Sequence, residues 1–251
     1  MKRFGLIVVL ALVALAATSF AQTVDELVEK NFEAKGGREL LQSIKTMKSF
    51  GKYSMMGMDF PFTVYNKRPD KFRLEASFQG MTMVQATDGT TAWTISPFSG
   101  ETEPREMSRL EALSVETQSD MDGLLGDYKE KGWELTLAGK EDMEGTEVYH
   151  LNLKISDTIN VDIYLDAEYY LEVKTTSNVS YEGKEIVSEI FLSDYKEVDG
   201  MMVPFSMEVH QGPQQASTIV IDSLQTNVEI PDDIFVMPEP KAEEPAKKDG
   251  E

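Results

Sequence analysis

Apolar residues recur along this chain with two different periods. From Thr23 to Ile44 the period is helical: Val24, Leu27, Val28 and Phe32 share one face. Thr23, followed three residues later by Glu26, has the signature of a capping box and sets the helix start. Gly36-Gly37 interrupts, and Leu40, Leu41 and Ile44 give a second, short helix. From Thr46 the period drops to two. Strands are expected over Thr46–Met56, Met58–Lys67, Lys71–Phe78, Met81–Thr87 and Thr91–Ser96, divided by Gly57, Arg68-Pro69-Asp70, Gly80 and Asp88-Gly89. Connections this tight join antiparallel neighbours, because a parallel crossover needs a dozen residues or more.

The alternation stops between Glu103 and Tyr128. There Leu110, Leu113, Met121, Leu124, Leu125 and Tyr128 have the spacing of one or two short amphipathic helices, loosened by Gly123 and Gly126. Residues 103–128 are therefore expected to form a lid over the sheet. Strands resume over Trp133–Glu141, Thr146–Ile155, Asn160–Asp166, Tyr170–Tyr181, Glu185–Glu197, Met202–Gln211 and Ala216–Val228, with hairpins at Glu144-Gly145, Glu182-Gly183 and Asp199-Gly200. This order predicts a mainly β fold of about 11–12 antiparallel strands. A large curved sheet, or an incomplete antiparallel β-barrel with helices covering one face, fits it.

The two ends read differently. Lys2-Arg3, the uncharged run from Phe4 to Ala17 and the small residues of Ser19-Phe20-Ala21 have the plan of a secretory signal peptide, 1–21, cleaved before Gln22. An uncleaved anchor is the competing reading, but the run is short for a bilayer span. Residues 22–238 make one domain. Residues 239–251, rich in Pro, Ala, Glu and Lys, are expected to be disordered, because they lack the apolar area that offsets ordering entropy.

Charge and chemistry narrow the function. A net charge of −20 argues against nucleic acid and anionic lipid surfaces as partners. No stretch after the signal is apolar enough to span a bilayer. With no cysteine, disulfides and thiolate sites are excluded. His150 and His210 each fall in a strand without a metal-site or triad spacing. Asp157, Asp162 and Asp166 lack the calcium-loop pattern and read as a solvated strand face. No cofactor and no catalytic set is expected, so a binding protein is favoured over an enzyme.

The apolar inventory is more specific. Met47, Met55, Met56, Met58, Met81 and Met83 crowd the first strands, among Phe50, Phe60, Phe62, Phe72, Phe78 and Trp93. Methionine is flexible and polarisable, which suits a wall that adapts to apolar ligands of varied shape. An ordinary core in which methionine fills gaps has the same composition, and both readings stand at this point.

Lys67-Arg68-Pro69-Asp70-Lys71-Phe72-Arg73 resembles the Lys-Arg-Pro-x-x-Phe segment of LolA-like periplasmic lipoprotein carriers. Asp88-Gly89 through Trp93 to Pro97 is similar to that family's Asp-Gly-x-x-x-Trp-x-x-x-Pro. Asp199-Gly200 with Pro204-Phe205, and Ile234 to Pro238, resemble the wider outer-membrane lipoprotein-sorting superfamily. The resemblance implies an incomplete β-barrel with helices covering its concave face around an apolar cavity. It implies an acylated lipoprotein or lipid as ligand, with an inner-membrane release complex and an outer-membrane acceptor as partners. Arg68 maps onto the lid-holding arginine and Phe72 onto a cavity aromatic. Phe60, Phe62, Met55, Met83, Trp93, Leu110, Leu113 and Leu124 complete the expected cavity. Independently, Pro69 biases Arg68 to an extended conformation at a strand end, where its guanidinium reaches lid carbonyls or merely flanks a turn. The extra strands between Asp166 and Val228 and the high acidity depart from compact carriers. An envelope-stress sensor on the same scaffold and a purely structural β domain therefore remain as alternatives.

Overall fold

The computed structural model describes residues 22–211 and 214–239. The signal and tail expectations, 1–21 and 239–251, lie outside the described residues except for Glu239. Three helices are described: α1 (Val24–Ala34), α2 (Arg38–Ser43) and α3 (Arg109–Ser119). The first meander comprises β1 (Thr46–Met55), β2 (Met58–Lys67), β3 (Lys71–Phe78), β4 (Met81–Thr87), β5 (Ala92–Ser96) and β6 (Glu101–Glu106). The second comprises β7 (Glu134–Met143), β8 (Thr146–Lys154), β9 (Ile159–Asp166), β10 (Glu172–Tyr181), β11 (Lys184–Val198), β12 (Met201–Gln211) and β13 (Gln214–Thr226). Together they form a single 13-stranded antiparallel sheet in the order β6-β5-β4-β3-β2-β1-β13-β12-β11-β10-β9-β8-β7. Strands adjacent in sequence are adjacent in space except β6 and β7, and the two meanders join at one seam where β1 pairs with β13. The sheet curves but does not close, since β6 and β7 lie at opposite ends of the order. It is an incomplete barrel, as the turn pattern predicts.

Five hairpins close through two-residue turns: Met56-Gly57, Gln79-Gly80, Glu144-Gly145, Glu182-Gly183 and Asp199-Gly200. Both residues of each turn have positive φ. That geometry matches the twist of the flanking strands and explains the glycine at the second place. At the seam, the register of β1 and β13 shifts between Phe50 and Gly51. A side chain on Gly51 would bring its Cβ within 2.7 Å of the Phe62 ring.

One strand departs from the sequence reading. Residues 101–106 pair with β5, Trp93 opposite Glu106 and Thr94 opposite Arg105, making a thirteenth strand from what was expected to begin the lid. Glu-Thr-Glu-Pro-Arg-Glu has no apolar alternation to betray it, as befits a short, charged edge strand. The helical cover starts instead at Ser108, which forms a capping box with Glu111.

The helices and the turns after α3 cover one face. The expected Thr23–Glu26 capping box starts α1. Leu27, Val28 and Phe32 of α1 bury themselves with Leu125 and Tyr128 against Leu151, Leu153, Ile163 and Leu165 of β8 and β9. Each such side chain contributes about 1.5–3 kcal/mol by leaving water. At the other flank α3 crosses β3, β4 and β5, and its Ala112 and Val115 are buried. Asn66 of β2 donates to the Gln118 carbonyl at 2.7 Å, tying α3 to that same face.

The opposite, convex face carries a strap. Residues 228–238 run back across β1 to β5, held by Lys67 donating to the Ile230 carbonyl, Arg73 to Ile234 and the Trp93 indole to Phe235. Its own Ile230 and Phe235 side chains are buried. Among the described residues no helix is long and apolar enough to cross a membrane.

Candidate functional site

Strand register fixes which side chains share the helix-covered, inner face. Met55 pairs with Met58, Tyr53 with Phe60 and Gly51 with Phe62, so these point the same way. Phe62 continues to Ala76 and then Met83, and Asn66 to Phe72 and Thr87. Across the seam the same face receives Ile219 and Ile221 of β13, Met207 and Val209 of β12, and Ile190 and Leu192 of β11. The outer face of the same strands carries Lys48, Thr63, Lys174, Asn178, Glu189, Ser206 and Glu208. An antiparallel sheet with one dry and one wet face shows this alternation.

The inner face is not covered evenly. Under α1 the strands are fully buried: Leu151, Leu153 and Leu165 are 0% exposed. In the centre, Tyr53, Met55, Phe60, Ile190, Leu192, Met207, Val209, Ile219 and Ile221 are only partly covered. The molecule therefore presents an apolar trough between two packed flanks.

One end of the trough is lined by rings. Phe60 lies 6.1 Å from Tyr53, 4.8 Å from Phe78 and 6.2 Å from Phe98. Met58, Met81 and Phe98 at this end are each about two-fifths exposed. The other end is closed by Arg68, whose peptide bond to Pro69 is cis. Its Nε donates to the Ile44 carbonyl at 2.9 Å and Nη2 to Leu41 at 3.1 Å. Nη1 and Nη2 also donate to Asp122 at 2.5 and 2.7 Å. Arg68 thus joins the C-terminal end of α2, where the Leu41 carbonyl also accepts from the Ile44 N–H, to the segment that follows α3. The Arg68 guanidinium holds the Asp122 carboxyl below its usual range.

The expected site residues divide. Met55, Phe60, Phe62, Phe72 and Met83 lie on the inner face; Phe62 and Phe72 are buried, the other three partly covered. Leu110 and Leu113 are half-buried on α3, and Leu124 packs against the core under α1. Trp93 is a correction. It pairs with Ala86, one register step from the inner Thr87, and faces outward. Its indole donates to the Phe235 carbonyl at 2.7 Å, and it packs with Val84, Ala86 and Met237 beneath the strap. The strap leaves an outer cavity of about 260 Å³ beside Tyr65, Arg73, Glu75 and Trp93.

Two features were not singled out from sequence. Asp122 stands in a run with Asp120 and Asp127 and carries no mark of its own. The β11 and β13 floor was legible, since Ile190 and Leu192, and Ile219 and Ile221, are apolar at alternate places. On the outer face His150 sits between Glu141 at 2.7 Å and Asp162 at 2.8 Å. Asp162 also accepts from Asn152 and Asn178. His210 tilts against Phe191 at 5.0 Å.

At the level of sequence, no family model and no curated protein matches the chain. Solved structures do. A LolA superfamily protein from Nitrosomonas europaea superposes with a TM-score of 0.60 at 15% identity, covering 86% of this chain and 98% of that one. A DUF1329 family protein from Desulfovibrio piger gives 0.59 at 13% identity, with coverage of 86% and 98%. A domain ascribed to outer-membrane lipoprotein sorting from Vibrio parahaemolyticus gives 0.53 at 10%, with coverage of 83% and 97%. The chain has a LolA-like fold.

Proposed function

We propose that this protein binds the hydrocarbon chains of lipidated proteins or lipids along its inner trough and carries them through the periplasm towards the outer membrane. The observation that carries this reading is the contrast within the central strands. Their outer face is mostly polar and charged, with Phe50, Phe191, Val187 and Val220 as exceptions, while their inner face is mainly apolar and only partly covered, in a protein of net charge −20. An antiparallel sheet places apolar side chains on the face that leaves water, so a partly covered inner face is matched to an apolar guest. Each methylene it dries contributes about 0.8 kcal/mol. A chain of about sixteen carbons gives on the order of 12 kcal/mol gross if wholly buried.

In this reading Met55, Phe60 and Met83 form the floor, Leu110 and Leu113 of α3 form the roof, and Arg68 holds the covers together. Residues 1–21 direct export and are removed. An inner-membrane release complex supplies the cargo and an outer-membrane acceptor receives it. The fold of the solved relatives supports the reading, as does the position of Arg68 between α2 and Asp122.

Titration with a fluorescent fatty acid, alongside native mass spectrometry of protein recovered from a membrane-containing host, tests it. Wild type binds the probe, and Ile219→Gln weakens binding by about tenfold, the loss of roughly one buried aliphatic contact. Lys174→Gln on the outer face leaves binding unchanged. A protein with no bound lipid and no response to the probe refutes the proposal.

A further inference from the structure

The five two-residue turns contain an internal control. Their first residues are Met56, Gln79, Glu144, Glu182 and Asp199, all with positive φ. Four are polar or acidic, as a solvated left-handed position favours. The fifth, Met56, is 87% exposed, the most exposed large apolar side chain of the described residues. Neither turn geometry nor packing accounts for a methionine there.

Met56 belongs to a larger surface. The tip it crowns, the Gln79-Gly80 tip and the Pro97–Ser99 turn are joined by Phe60, Phe78 and Phe98, whose rings lie 4.8–6.5 Å apart. Residues 76–87 and 89–100 carry no charge, and Tyr53 to Met58 carries none. Two carboxylates flank it and are partnered: Asp59 accepts from Ser54 at 2.6 Å, and Glu101 pairs with Arg105 at 3.0 Å. The same end of the second meander has Glu182, Lys184 and Glu185, and the opposite end of the first has Lys67, Arg68, Asp70 and Lys71. Charge is thus sparse at one lip of an otherwise highly charged molecule.

We infer that this lip, with Met56 at its tip, docks on the surface of a zwitterionic lipid bilayer. Its sparse and internally paired charge fits a neutral interface, whereas the −20 body is repelled by an anionic one. Unbranched methionine adapts to a fluid surface without needing a partner of fixed shape. The lip is also continuous with the trough: Met55, Met58 and Phe60 face inward at its mouth. A chain leaving the bilayer there meets apolar side chains from lip to floor. The inference rests on the trough being the acyl site.

Vesicle flotation tests it. Every described element lies between Thr23 and Pro238, so chains beginning at Gln22 are used. Wild type co-floats with phosphatidylcholine vesicles, and admixing phosphatidylglycerol weakens the association. Met56→Asn, which suits the positive φ and so keeps the turn folded, lowers the partition about tenfold, as expected for one methionine withdrawn from an apolar phase. Met81→Ser lowers it as well. Met56→Asn binds a monomeric fluorescent fatty acid as wild type does. Wild type that stays with the soluble fraction, binding that needs a membrane protein in the vesicle, or Met56→Asn that floats like wild type each overturns the inference. Loss of fatty-acid binding by wild type, with Met56-dependent flotation retained, refutes the trough and leaves the lip.

Discussion

Arg68 and Asp122 stand 54 positions apart in sequence and face each other through hydrogen bonds of 2.5 and 2.7 Å. Their side chains are each 18% exposed. The same guanidinium reaches the Leu41 and Ile44 carbonyls, so one side chain couples α2 to the segment after α3. Arg68→Leu or Asp122→Asn is expected to cost about 1.5–3 kcal/mol, the range for hydrogen bonds to charged groups. Amide exchange rises in residues 109–128. In a double-mutant cycle the two losses are not additive. Additive losses, or unchanged exchange there, would contradict the coupling.

The strap should respond to acid in a defined window. Lys71 and Lys67 hold the Asp232 carboxyl down at about 2, from an ordinary 3.8. A depressed folded pKa gives a contribution that is complete above the ordinary value and lost as pH falls through the folded one. The contribution is small, since the group is exposed. Trp93 emission is therefore expected to be flat above about pH 5 and to change only towards about pH 2, and the change shifts upward in pH in Lys71→Gln. A transition near neutrality would contradict this assignment.

Apolar and polar anchors of the strap should separate in magnitude. Phe235 is 0% exposed, and Phe235→Ala is expected to destabilise by about 3–5 kcal/mol. Asp232→Asn has little effect on the same denaturation curve. Trp93→Phe leaves the Phe235 carbonyl without its donor and costs about 1–3 kcal/mol. Because Trp93 faces outward, fatty-acid affinity stays at the wild-type level; a loss of affinity would return Trp93 to the trough.

The seam between the meanders depends on the absence of a side chain. Gly51 sits where β1 meets β13, facing Phe62. Gly51→Ala forces the Phe62 ring and the neighbouring strand to move, with an expected loss of about 1–3 kcal/mol in chemical denaturation. A neutral substitution would mean that β13 yields without cost.

Much of this architecture is written in local pattern. The two-residue turns, the capping box at Thr23 and the alternation in β1 to β4 are short-range signals, and each appears where the pattern places it. Pairing partners are set by long-range packing, which explains what was missed. Alternation says that Trp93 and Thr94 point opposite ways but not which of them faces the helices. That choice is made by the strap, more than 130 residues later, which brings the Phe235 carbonyl to the Trp93 indole. Strand β6 was hidden for a related reason, because an edge strand of charged residues has no apolar face to report. Asp122 became visible only when folding brought it to Arg68.

If the inner trough takes acyl chains as proposed, the unpaired ends of the sheet bear on how much a guest of varying size costs. A ring of strands has a set circumference, and widening it breaks a ladder. Here the outermost strands, β6 and β7, do not meet. Added bulk can be taken up by a gentler bend distributed over twelve ladders, with every rung kept. Capacity is then governed by bending stiffness, and one chain length need not be favoured sharply over another.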